Sequence, residues 1–93
     1  MTMELDNLVR QAAVALIEAG AREVYLFGSS ASGVDSPESD IDLAVVGLPP
    51  ESFFRAVGLA RRVLKRPVDL VDLDEPNPFT DYLKESGELR RVG

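Results

Sequence analysis

The chain has 93 residues, 45% hydrophobic and 28% charged, which suits one compact soluble domain (1–93) and leaves too little length for two. Ten Lys and Arg stand against 16 Asp and Glu, a formal charge of -6 that argues against direct, unaided binding of nucleic acid. With neither Cys nor His, the sequence excludes disulfides, a thiol nucleophile, imidazole catalysis and the usual zinc donors, so a catalytic metal would be hard and oxygen-bound.

Residues 4–19 predict a first helix, with Leu5, Leu8, Val9, Ala12, Leu16 and Ile17 at helical spacing and Gly20 as its stop. The acidic N-terminal residues do not read as a signal peptide, and no apolar run approaches the ~20 residues of a membrane span. A cytoplasmic chain without membrane contact is expected. Glu23 to Phe27, rich in β-formers, reads as a strand. Gly28 to Glu38 is small and polar and reads as a loop or a single helical turn.

Asp40 to Val46 returns to strand character, and Pro49 and Pro50 end it and open a second helix. Phe53, Ala56, Val57, Ala60, Val63 and Leu64 mark one face of that helix, and Arg61, Arg62, Lys65 and Arg66 suit its C-terminal end. Phe53, Phe54 and Val57 fit core packing better than a partner surface. Val68 to Leu73 predicts a third strand, Phe79 to Glu85 a short helix, and Ser86 to Gly93 a frayed end. The first two strands can pair directly, with the third joining after a helical crossover. This is a small mixed α+β sheet with helices packed on it.

Candidate chemistry sits at the strand ends. Asp40 and Asp42 alternate with Ile41 and Leu43, so both carboxylates point to one side of the second strand. Paired carboxylates repel, and a divalent cation between them relieves the cost. Mg²⁺ suits a sparse carboxylate set completed by phosphate oxygens and water. Just upstream, Gly28-Ser29 follows a strand directly, and such a turn lets backbone N–H groups approach a phosphate. Asp69 lies between Val68 and Leu70 on the third strand; with those two facing the core it faces the metal side, and spacing alone equally allows a solvated residue on an exposed sheet face. Asp72 has the opposite parity and Asp74 lies beyond the strand, so neither belongs to this site.

Gly28-Ser29 with Gly33, then Ser39-Asp40-Ile41-Asp42-Leu43, then Val68-Asp69-Leu70-Val71, resembles the minimal nucleotidyltransferase family of the DNA polymerase β superfamily. The likeness spans about Val24 to Val71. It implies the polymerase β palm-like fold, with Gly28, Ser29, Ser30 and Gly33 at the phosphates. Asp40, Asp42 and Asp69 would be catalytic and would bind metal, with two Mg²⁺ ions when nucleotide is present. It also implies transfer of a nucleoside monophosphate, AMP from ATP, to a hydroxyl of a small helical HEPN-type partner, the chain acting as an antitoxin. Oligomerisation is compatible with these features. One departure stands out: Ser30 and Ser32 occupy positions where the family often has Arg. Their lost charge favours an alternative reading, a catalytically weak or inactive subunit that neutralises its partner by contact.

Overall fold

The computed structural model describes residues 3–28 and 40–93, with side chains from Asn7 onward. Helix α1 spans Met3–Glu18 and strand β1 Glu23–Leu26. Between them Gly20, at φ +124°, closes the helix: its N–H donates to Ile17 O (3.0 Å) and Ala21 N–H to Leu16 O (3.1 Å). This crossed pair satisfies two terminal carbonyls and turns the chain back along the helix. Strand β2 spans Ile41–Val46 and helix α2 Phe53–Leu64, entered by a single tight turn at Pro50–Ser52. Strand β3 (Val68–Asp72), helix α3 (Pro78–Ser86) and strand β4 (Arg90–Arg91) complete the order. No helix among the described residues is long and apolar enough to cross a membrane.

The strands form one mixed sheet in the order β3-β2-β1-β4. β1 pairs antiparallel with β2 and β4, and β2 pairs parallel with β3, the register setting Ile41 beside Val68 and Leu43 beside Leu70. The expected direct pairing and helical crossover are both present. The expected fraying of 86–93 is not. α3 extends through Ser86, and the terminal residues then add a strand to β1, with Val92 N–H donating to Val24 O (2.8 Å) and Val24 N–H to Gly93 O (3.0 Å).

Strand alternation sorts side chains into two layers. Val24, Leu26, Ile41, Leu43, Val45, Val68 and Leu70 face α1 and α2 and meet Val9, Ala12, Leu16, Ala56, Ala60 and Leu64 in the main core. Ala13 is also buried, while Ile17, expected on the buried stripe, is 41% exposed because the inward face is rotated toward Ala13. On the opposite sheet face Phe27, Ala44 and Leu73 are covered by Leu83 of α3. That cover is short. It leaves the Asp42 end of the same face partly open, and there the polar residues gather.

α3 is fixed at its start by a reciprocal cap. Thr80 N–H donates to Asn77 Oδ1 (2.9 Å) and Asn77 N–H to Thr80 Oγ1 (3.2 Å), with Pro78 in the first turn. The Thr80 hydroxyl is fully buried and donates to Glu75 O (2.7 Å).

Candidate functional site

The site is assembled where β1 ends and β2 and β3 begin. Asp42 and Asp69 occupy matching positions of the parallel β2–β3 pair and therefore project from the same sheet face. Asp42 is half-buried and Asp69 exposed, on the face opposite Leu43 and Leu70. Asp40 lies one residue before β2 and is exposed. Burial pushes the Asp42 carboxyl above its ordinary range, and the charges of Asp69 and then Asp40 push it further. Asp69 and Asp40 thus both act on Asp42.

Gly28 joins the site through its backbone. Phe27 N–H donates to Asp42 O (3.2 Å), which lays the chain leaving β1 against Asp42. Gly28 has φ +66°, and a Cβ there would stand 2.7 Å from Asp42 Oδ2. Only glycine permits both the left-handed turn and the close approach. The glycine and the half-buried carboxylate therefore form one unit. Ser29, Ser30, Ser32 and Gly33 lie outside the described residues.

Asp72 and Asp74 have structural partners. Asp72 pairs in register with Val45, the parity opposite to Asp69, and its Oδ1 accepts from Asp74 N–H (2.9 Å). Asp74 Oδ2 accepts from Gly47 N–H (2.6 Å), tying the turn after β3 to the end of β2. Both are accounted for without chemistry.

Among the described residues no three carboxylates draw close enough to form a closed metal cage. What exists is sparser: a register-matched pair with a third acid at the strand mouth. Hard oxygen donors in such a number suit a cation that takes its other ligands from phosphate and water. The electrostatic strain on Asp42 is of the kind such a cation relieves.

A second concave surface lies on the α1 side, a 340 Å³ pocket whose walls include Arg10, Arg90 and Arg91. It gathers cations from both ends of an acidic chain, and their sequence separation hid the cluster. Finding it requires the pairing of 90–91 with β1, where the sequence reads as a frayed end. Arg61, Arg62 and Lys65, by contrast, are exposed at the end of α2, as a solvated helix end requires.

Residues 17–89 match the model of the family described as polymerase beta, nucleotidyltransferase. The chain belongs to this family. No curated protein matches the nucleotidyltransferase chain significantly in sequence. Solved structures share its fold. One, described as a minimal nucleotidyltransferase, superposes with a TM-score of 0.75 at 24% identity, covering 100% of this chain and 96% of that one. A second is a toxin-antitoxin complex with AMP-PNP, with a TM-score of 0.69 and 24% identity over 95% of this chain and 72% of that one. A third is the tri-AMPylated Shewanella oneidensis HEPN toxin with its MNT antitoxin, with a TM-score of 0.65 and 22% identity over 100% and 72%. At these identities the likeness is one of fold.

Proposed function

We propose that this nucleotidyltransferase-family chain transfers a nucleoside monophosphate, AMP from ATP, to a side-chain hydroxyl of a small helical HEPN-type protein, acting in the cytoplasm as that protein's antitoxin. The observation that carries this reading is the Asp42–Asp69 register pair with Gly28 packed on Asp42. Family membership and the toxin-antitoxin fold neighbours support it.

In the proposed reaction the acceptor oxygen bonds to the α-phosphorus of ATP as the bond to pyrophosphate breaks. The hydroxyl proton passes to Asp69, whose exposed carboxylate lies open to an incoming acceptor. Gly28 and the serines after it would hold the triphosphate through backbone and hydroxyl donors. Asp40 and Asp42, with Asp69 opposite, would hold Mg²⁺, which supplies charge neutralisation of the triphosphate and a lowered pKa for the attacking hydroxyl. The chain's own contribution is mainly position and preorganised charge.

Incubation with Mg²⁺, α-labelled ATP and the partner should label the partner, and Asp42→Ala should abolish the label. Labelling that survives Asp42→Ala overturns the catalytic reading. The contact-only alternative draws on Ser30 and Ser32 and predicts full neutralisation by Asp40→Ala/Asp42→Ala, with no Mg²⁺-dependent nucleotide binding in calorimetry.

A further inference from the structure

β3 is an edge strand of the sheet. Its odd-numbered positions serve β2: Ile41 N–H donates to Pro67 O (3.0 Å) and Leu73 N–H to Val45 O (2.9 Å), which brackets the ladder. In such a ladder alternate residues turn their peptide groups to opposite sides. Val68, Leu70 and Asp72 therefore direct N–H and C=O away from β2. Asp72 O accepts from Glu75 N–H (3.2 Å), which leaves Val68 and Leu70 as the unpaired row among the described residues.

A groove of 390 Å³ runs along this edge. Three consecutive β3 residues, Leu70, Val71 and Asp72, line it, and neighbours of opposite parity can share one groove only where it follows the strand edge. Its far wall is apolar, made by Pro50, Phe53 and Phe54, with the two rings edge-to-face at 6.1 Å. Phe54 is 88% exposed, an unusual position for a phenylalanine in a chain with four of them. Asp72 and Glu75 give the groove an acidic rim. Asp69 precedes Leu70 in the strand, on the side toward the site, and is exposed.

We infer that the free edge of β3 is the docking strand for the acceptor polypeptide. An extended segment pairs with Leu70, sets a hydroxyl side chain opposite Asp69, lays an apolar side chain on Phe53 and Phe54, and presents a basic residue to Asp72 and Glu75. Main-chain bonds at a sheet edge supply affinity and fix register, and the alternating side chains supply selectivity. Directly opposed residues on adjacent strands hold their Cβ atoms ~5 Å apart, so register alone brings the hydroxyl to Asp69. The acidic rim selects a basic segment over a second copy of this acidic chain. The inference rests on the transfer reading above, since it assigns the groove to the acceptor.

In the more common antiparallel sense the segment reads basic, any, apolar, hydroxyl. The probe is therefore the peptide acetyl-Lys-Thr-Ile-Tyr-Thr-amide, titrated to millimolar concentration into the nitrogen-15-labelled full chain without nucleotide or metal. The amides of Val68 and Leu70 should shift and exchange more slowly, while those of Asp69 and Val71, already bonded to β2, stay unchanged. Phe54→Ser, which alters an exposed ring, should weaken binding roughly tenfold. The absence of that alternation, indifference to Phe54→Ser, or concentration-dependent protection of the edge without peptide overturns the docking. Adding Mg²⁺ and α-labelled ATP separates the two claims. Labelled peptide without edge shifts keeps transfer and sinks docking, and edge shifts without label keep docking and sink transfer to it.

Discussion

Asp42 and Asp69 are register partners across the parallel β2–β3 pair, and the half-buried member carries the cost. Burial raises the Asp42 carboxyl above its unfolded value, and Asp69 and Asp40 raise it further. The folded chain therefore holds the proton more tightly than the unfolded one, and stability falls as pH rises from the unfolded value through the raised one. Above that window the ionised pair is a standing penalty. In the presence of a chelator, Asp42→Asn should raise stability at pH 7 by on the order of 0.5 kcal/mol, discounted for solvent screening at a partly open site. The gain should vanish in melts run below the unfolded carboxylate range. Added Mg²⁺ should stabilise the parent chain and not the Asn variant.

Gly28→Ala tests the other half of that unit. The new methyl would fall 2.7 Å from Asp42 Oδ2 at φ +66°, so either the turn or the carboxylate must move. The left-handed conformation alone costs a non-glycine residue roughly 1–2 kcal/mol. Chemical denaturation should show a loss of at least that order, and Mg²⁺-ATP binding by calorimetry should weaken along with it. Parent-like binding would separate Gly28 from the site.

The sequence carried most of this arrangement because its signals are local. Gly20 marks the end of α1 because only a glycine turns there readily, and the alternation of Asp40, Ile41, Asp42 and Leu43 states which face holds the acids. Parity likewise separated Asp69 from Asp72. Other features escaped, among them Phe54, which reads as core and is 88% exposed. Ile17 fits a helical stripe but is displaced by Ala13, since helix rotation is set by what packs opposite. β4 is two polar residues whose strand conformation comes from β1 alone. The free edge of β3 is a property of sheet order, which no single segment records.

β4 should matter for stability out of proportion to its length. Val92 and Gly93 exchange backbone hydrogen bonds with Val24, and Gly93 packs close to Ala13 of α1. Removing residues 90–93 strips these bonds and turns β1 into an exposed edge. With a net worth of about 1 kcal/mol per bond, a loss on the order of 2–3 kcal/mol is expected in urea titration. A shift within experimental scatter would return this segment to a frayed end.

Thr80 offers a sharper test of the α3 entry. Its hydroxyl is fully buried, donates to Glu75 O and accepts from Asn77 N–H. Thr80→Val keeps the shape and leaves both partners unsatisfied, at a cost of about 1–3 kcal/mol. Asn77→Ala removes one arm of the same cap and should cost about 1 kcal/mol. Thermal melts of the two variants and their double should be non-additive, because the two bonds they remove belong to one reciprocal cap.

Asp69 and Asp72 are three residues apart on one strand and should behave as opposites. Asp69 stands beside Asp42 on the open face, whereas Asp72 pairs with Val45 and accepts from Asp74 N–H. If Asp69 takes the acceptor's proton, Asp69→Asn should lower partner labelling by about 10²-fold or more while the fold persists. Asp72→Asn keeps an acceptor oxygen for Asp74 and should leave labelling of the full partner within a few-fold of the parent. Its effect belongs at the docking groove, as a higher acceptor KM with kcat unchanged. Equal losses in kcat from the two variants would mean that strand parity does not define the catalytic face.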